Sequence, residues 1–271
     1  MRLLTLARDL TRRKARERQG LFAAEGVRSV RSLLESDLKV RGLLLREAER
    51  SAAASSELTT LVERARARGV EVVTVSPAEF DSASDTESPQ GVLAIGETPA
   101  WPALDAWDAG SAPRGTVLLL DALQDPGNVG TIIRTAAALG VCATIALPGT
   151  VDVWNAKVVR GAMGALFTHP VVAWTWEETR HWLTRCEMPL WVADADGEPL
   201  HALVESCAAM PRVALAVSNE GSGVTPAVRD AAERAVSIPM DAGSESLNVA
   251  VASGILLYAL QQRASAPGAR A

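Results

Sequence analysis

A chain of 271 residues, 48% of them hydrophobic, can bury one large core or two smaller ones without covalent staples. Three scattered cysteines, Cys142, Cys186 and Cys207, exclude a disulfide framework and a CxxC metal site and suit a reducing compartment. The formal charge of −5 is unevenly spread: residues 1–70 hold 16 Lys plus Arg against 9 Asp plus Glu, while the remainder carries a balance of −12, so a basic module joined to an acidic body can still steer a polyanion.

The first twenty residues, MRLLTLARDLTRRKARERQG, lack the uninterrupted apolar segment of a signal peptide, and no later run is long and charge-free enough to span a membrane, so a cytoplasmic protein is expected. The arginines between Arg12 and Arg18 are either a solvated helix face or a phosphate-gripping surface. Because few aromatic residues accompany them, Arg12, Arg16 and Arg28 are candidates to hold phosphates rather than stack bases. Val27, Val30, Leu33 and Leu34 mark the inner face of a helix. A strand over Val40–Leu45, a helix over Ser56–Arg68 closing at Gly69, a strand over Val70–Val75, a helical turn at Pro77–Phe80 and a strand over Gln90–Ile95 complete a small α/β unit, residues 1–96. Residues 97–115, rich in Pro, Ala, Trp, Asp and Gly, read as a linker.

From residue 116 to 263 strands and helices alternate. Val117–Asp121 is wholly apolar up to its aspartate, as befits a strand buried on both faces of a parallel sheet. Asp125-Pro126-Gly127-Asn128 then turns the chain into a helix with Asn128 as the expected N-cap, Val129, Ile132, Ile133, Ala136 and Leu139 as its apolar face and Gly140 as its terminator. Arg134 stands on the opposite face, either a surface arginine or a cation positioned at a site. Further strands are expected at Cys142–Leu147, Pro170–Val172, Leu190–Ala193, Val213–Val217 and Ala235–Ile238. Helices are expected at Asn155–Leu166, Trp176–Cys186, Leu200–Ser206, Pro226–Arg234 and Glu245–Gln262, followed by a frayed tail at 264–271. The fold class is therefore α/β with a mostly parallel sheet of five or six strands.

In such sheets ligands bind beyond the carboxyl ends of the strands, where three loops carry polar residues and glycines: Asp125–Asn128, Ser218–Gly223 and Ile238–Asn248. Ser218–Gly223 is equally suited to a structural turn or to close backbone approach by a ligand. In the third loop Ser244 or Ser246 is expected to cap the last helix, with Asn248 inside its first turn. No GxGxxG, GxxxxGK[ST] or GxSxG motif occurs. His169, His181 and His201 are not spaced for a metal, and the seven tryptophans form no regular platform.

Together the segments DALQDPGNVGTIIRTAAALG, AVSNEGSGV and SIPMDAGSESLNVAVASGILLY resemble, in order and spacing, the three signature motifs of the SpoU/TrmH-type RNA ribose methyltransferases of the SPOUT superfamily. The segments ARERQGLFAAEGVRSVRSLL and SPQGVLAI are similar to that family's small, ribosomal-protein-like substrate-binding domain. The resemblance implies a trefoil knot in the C-terminal sheet, a homodimer, and S-adenosylmethionine held by Asn219, Glu220, Gly221, Ile238, Met240, Leu247 and Asn248. It also implies catalysis by Arg134 with Asn128, Glu220, Ser246 and Asn248, RNA contacts from Arg12, Arg16, Arg28 and Arg134, and no metal. The implied reaction is 2′-O-methylation of RNA, most of all large-subunit rRNA. A tRNA substrate, a noncatalytic RNA-binding or ribosome-assembly role and a small-molecule methyltransferase are the alternatives; the intact Asn248 loop argues against the second of these and the basic module against the third. The chain departs from the family pattern at Ala162, where serine is common, and at Ser218, where glycine is.

Overall fold

The computed structural model describes the chain apart from residues 1, 48–55, 102, 103, 105, 113, 203–209, 220, 222, 242–245 and 265–271. In chain order its elements are α1 (Arg2–Asp9), α2 (Arg13–Gln19), β1 (Leu21–Glu25), α3 (Val27–Glu35), β2 (Val40–Arg46), α4 (Ser56–Ala67), β3 (Val72–Val75), α5 (Pro77–Asp81) and β4 (Val92–Glu97). There follow β5 (Gly115–Asp121), α6 (Pro126–Ala138), β6 (Ala143–Ala146), α7 (Ala156–Gly161), β7 (Val171–Ala173), α8 (Trp176–Arg185), β8 (Leu190–Pro199), β9 (Arg212–Ser218), α9 (Pro226–Ala231), β10 (Arg234–Ser237) and α10 (Val249–Ala264). By packing they form two units, Met1–Ala100 with Trp154–Thr168, and Trp101–Val153 with His169–Ala271.

The first unit is a four-stranded mixed sheet in the order β1-β4-β2-β3. β1 is a strand that periodicity alone does not reveal: LFAAE has no alternation, and it becomes a strand by pairing antiparallel with β4 from Leu21↔Glu97 to Glu25↔Leu93. Its Glu25 is buried, with Oε1 accepting from the hydroxyls of Ser84 (2.7 Å) and Thr86 (2.8 Å) and Oε2 from the Asp85 amide (3.2 Å), so the carboxylate keeps the partners a buried charge requires. The helix expected over Asn155–Leu166 belongs here too, as α7 and a following 3-10 turn. The Phe22 ring lies 4.6 Å from that of Trp154 and 5.5 Å from that of Phe167. Aromatic burial thus draws a segment that is distant in sequence onto β1.

In the second unit all six strands run parallel in the order β10-β8-β9-β5-β6-β7. Every residue of central β5 is buried. Val117 and Leu119 join the cluster with Trp182 and Leu183 of α8, and alternation turns Leu118 and Leu120 to the other face, where α10 packs on α6, β5 and β9. Several described residues of the expected linker pack on this unit. The Trp182 indole donates to the Leu104 carbonyl (2.8 Å), Arg212 donates to the carbonyls of Ala109 (3.0 Å) and Cys186 (2.9 Å), and Leu104 and Ala112 are buried. Trp101, Trp107, Trp174 and Trp176 pack against the same cluster. No helix among the described residues is long and apolar enough to cross a membrane.

β8 is longer than the four expected residues and irregular. It pairs with β10 at Arg234↔Trp191 and Ala235↔Val192, then resumes at Val236↔Glu198, so residues 193–197 bow out of the ladder. Gly197 makes this possible, since a Cβ there would lie 2.6 Å from the Val236 nitrogen.

His169 is buried and its Nε2 is 2.8 Å from the Thr144 hydroxyl. Burial pushes its pKa from 6.5 down to about 4. The unfolded chain takes up this proton at a higher pH than the native one, so the contribution is complete above pH 6.5 and is lost as pH falls toward 4. We expect the unfolding free energy of the parent to drop between pH 7 and 4 by about 2–3 kcal/mol more than that of His169→Gln. Urea titrations of both proteins measure the difference, and equal pH slopes would exclude a neutral buried imidazole.

Candidate active site

β5 and β9 end side by side, with Asp121 opposite Ser218. The Asp121 carboxylate is buried and its Oδ2 accepts from the Thr225 amide at 2.6 Å, which ties the end of β5 to the loop after β9. Ala122 then adopts φ 55°, a left-handed conformation that costs a residue with a Cβ about 1–2 kcal/mol. Thr150 holds the turn, its Oγ1 donating to the Leu120 carbonyl (2.8 Å) and accepting from the Leu123 amide (3.3 Å).

α6 begins one turn earlier than its asparagine suggests. Asp125 is the N-cap, accepting from the Asn128 amide at 2.7 Å, and Pro126 occupies the first helical position, where its fixed φ is favourable and no N–H is missed. At the other end Gly140 has φ 71°, with Gly140 N–H on the Ala137 carbonyl and Val141 N–H on that of Ala136, a Schellman termination. Relieved of capping, the Asn128 side chain accepts from Asn248 Nδ2 at 3.1 Å. Asn248 lies one residue outside α10 and is itself the cap, with Oδ1 accepting from the amides of Ala250 (3.0 Å) and Val251 (3.4 Å). Capping thus consumes the acceptor end of this amide and aims its donor end at Asn128. Asn248 takes the place expected of Ser246, which is exposed two residues ahead of it; the other serine expected as a cap, Ser244, lies outside the described residues.

Between the strand ends and α10 is a cavity of about 230 Å³. Val217, Val236, Ala252 and Leu256 supply apolar walls, and of the expected residues Asn219, Ile238, Met240, Ser246 and Leu247 line it. Gly221 is exposed and donates its N–H to Asn219 Oδ1 at 3.2 Å, while Asn248 stands beside the cavity rather than in its wall. Glu220 lies outside the described residues. Arg134 is exposed on α6, opposite the buried Val129, Ile132, Ile133 and Ala136. Two residues that no motif singled out, Asp194 and Arg229, also line the cavity and form an ion pair. The available signal was position, since Asp194 directly follows the apolar run Leu190–Ala193, where the sequence predicts the strand to end. Among the described residues no group of His, Cys, Asp and Glu could hold a metal ion.

The three basic residues singled out near the N-terminus behave differently from one another. Arg12 and Arg28 are exposed, Arg12 pairing with Asp9. Arg16 is buried and donates to the carbonyls of Leu10 (2.8 Å) and Thr11 (3.0 Å). Its guanidinium therefore ties the turn after α1 to α2 and does not face solvent, which corrects its assignment as a phosphate contact.

Residues 5–94 match the MRM3-like substrate binding domain, and residues 115–258 match the SpoU rRNA Methylase family. The 23S rRNA (guanosine(2553)-2′-O)-methyltransferase RlmP of Bacillus subtilis is 32% identical over 94% of this chain and 94% of its own length. The 23S rRNA (guanosine-2′-O-)-methyltransferase RlmB of Xanthomonas campestris pv. campestris is 33% identical over 89% and 96%. Among solved structures, the SpoU methyltransferase AviRb of Streptomyces viridochromogenes, in complex with the cofactor AdoMet, superposes with a TM-score of 0.82 at 26% identity, covering 97% of this chain and 98% of its own. With more than half of the chain matched by the family and relatives of 32–33% identity aligned over nearly their whole length, the chain belongs to the SpoU rRNA methylase family, the SpoU/TrmH type of the SPOUT superfamily.

Proposed function

We propose that this protein transfers a methyl group from S-adenosylmethionine to a ribose 2′-hydroxyl of large-subunit rRNA. Beyond family membership, the observation that carries this is the hydrogen bond from Asn248 to Asn128, which links the first and third motif loops beside a cavity walled by the second and third. The cavity suits the cofactor: its apolar walls match an adenosine, its loop backbone can meet the ring nitrogens, and Asp194 with Arg229 brings charge of both signs. Asn219, Ile238, Met240 and Leu247 would hold the cofactor, with Glu220 and Gly221 in the adjoining loop. When bound, it supplies an electrophilic methyl on a sulfonium.

The chain's own residues then have to align the 2′-hydroxyl and ease the loss of its proton. Arginine, with a reference pKa above roughly 12, is a poor base, so Arg134 acts by gripping an RNA phosphate and stabilising the developing oxyanion. Asn128, oriented by Asn248, and Ser246 offer hydrogen bonds to the ribose, and Glu220 completes the set. Arg12 and Arg28 of the first unit contact RNA phosphates. In this reading the loops after β9 and β10 cross as a trefoil knot, an exception to the rule against threading. The active species is a cytoplasmic homodimer, and in support of the dimer α10 presents Val251, Ile255 and Tyr258 at 52%, 40% and 58% exposure, a helical stripe at i, i+4 and i+7.

Mapping 2′-O-methyl positions across total RNA with and without the gene tests the activity, and the expected result is one lost position in large-subunit rRNA; an unchanged map would refute it. Arg134→Ala should melt near the parent temperature and bind S-adenosylmethionine normally, yet lose on the order of 10² in single-turnover transfer. A parental rate at saturating RNA would remove Arg134 from catalysis. Asn248→Ala should lower stability by about 1 kcal/mol through the lost cap and also weaken cofactor affinity, whereas Asn128→Ala leaves the cap intact; calorimetry and melting of both variants separate the two effects. Sedimentation of Tyr258→Asp should give a monomer where the parent is dimeric, and a parental sedimentation coefficient would locate the interface elsewhere.

A further inference from the structure

Away from the cavity, the turn between β5 and α6 is clasped by the loop that follows β6. The Leu147 amide (2.9 Å) and the Thr150 hydroxyl (2.8 Å) both donate to the Leu120 carbonyl, the Leu123 amide donates to Thr150 Oγ1 (3.3 Å), and the Val151 amide donates to the Leu123 carbonyl (2.8 Å). Thr150 supplies the one side chain in this clasp and is buried. Between its two partners stands Ala122, with φ 55°. Gly149 closes over that residue: a Cβ on it would lie 3.1 Å from the Ala122 Cβ, so the loop fits the turn because position 149 carries no side chain.

A left-handed residue with a Cβ is unfavourable by itself and persists where its surroundings over-determine it. Glycine would hold this φ unaided; alanine makes the turn depend on the clasp. The Thr150 hydroxyl is suited to that task, since it donates to the residue before the bend and accepts from the residue after it. Two positions beyond Leu123 comes Asp125, the cap of α6, and α6 carries Asn128 and Arg134. Arg134 lies nine residues past the cap, about 13 Å along the axis, so a tilt of about 10° at the turn moves it by about 2 Å. A misplacement of about 1 Å can cost on the order of 10²-fold in rate. Among the described residues, none from 120–151 lines the cavity.

We propose that Thr150 is a positioning residue for methyl transfer: its hydroxyl holds the left-handed turn at Ala122, and through that turn sets the direction in which α6 presents Asn128 and Arg134 to the RNA. This rests on the reading of Arg134 as the group that meets the RNA during the chemical step. The hydroxyl touches neither cofactor nor RNA. Its effect therefore falls on the rate of transfer and leaves S-adenosylmethionine binding, which uses other strands and loops, unchanged.

The test is single-turnover methyl transfer at saturating S-adenosylmethionine and RNA, with large-subunit rRNA from cells lacking the gene as substrate, well below the melting temperature of every variant. Thr150→Val keeps the shape and removes the hydroxyl. It should lose about tenfold or more in rate, with calorimetric S-adenosylmethionine affinity and the half-saturating RNA concentration each within about twofold of the parent. Thr150→Ser should recover to within about threefold of the parent rate, because it restores both hydrogen bonds. A second comparison uses Ala122→Gly, which holds a positive φ unaided. In that background the further change Thr150→Val should cost less than about threefold, a coupling between the two positions that stands even if the single Thr150→Val variant does not fold. A parental rate in Thr150→Val, an equal loss in Thr150→Ser, a tenfold loss in both backgrounds at position 122, or a matching loss of S-adenosylmethionine affinity would each overturn the proposal. Arg134→Ala at the parental rate would instead remove the catalytic reading of α6, and the positioning role with it.

Discussion

The second unit depends on the complete burial of β5. A strand with no exposed residue must pair its backbone on both edges, because each unpaired buried N–H or carbonyl costs about 1–3 kcal/mol. It must also be covered on both faces. Pairing with β6 and β9 satisfies the edges, and α8 on one face with α10 on the other satisfies the cover. The loops that leave β5 and β9 therefore open at the same end of the sheet, next to the start of α10. The candidate active site is the place where this arrangement leaves polar chain ends without a layer above them.

At that place capping and the proposed chemistry draw on the same residues. Asp125 and Asn248 each satisfy the first free amides of a helix, a structural duty that both helices need. Because Asp125 caps α6, Asn128 is released, and because Asn248 caps α10 with its oxygen, its nitrogen is directed at Asn128. Two helix starts from distant parts of the chain thereby hold an amide pair in one orientation without any residue reserved for the purpose. The same economy applies to Ser237, which locks the bow of β8 through Gly197.

Arginine serves two ends in this protein. Some arginines are internal ties whose donors meet backbone carbonyls: Arg16 on Leu10 and Thr11, Arg68 on Ser36 and Leu38, Arg212 on Ala109 and Cys186. Others, such as Arg12, Arg28 and Arg134, face solvent. A guanidinium with five donors suits either role, so a positive excess counted along the first 70 residues overstates the cations available to a polyanion. Of the two roles only the second supports the proposed contact with RNA.

Much of this was legible in the amino-acid order. The β5–turn–α6 unit, the parallel sheet, the glycine after α6 and the three loops are encoded by neighbouring residues through burial pattern, fixed φ and capping chemistry, and the resemblance of those loops to one family carried the function. What local order could not settle were outcomes of distant pairing. LFAAE became β1 only against β4, residues 193–197 bowed out only against β10, Trp154 and Phe167 joined Phe22, and Arg16 turned inward to carbonyls. The sequence by itself determined which faces are apolar and which loops are free for chemistry, because those depend on residues within a few positions of one another. Only the tertiary structure decided which polar atoms meet, as Asn248 meets Asn128 across 120 positions, because a hydrogen bond forms between whichever groups packing brings within about 3 Å.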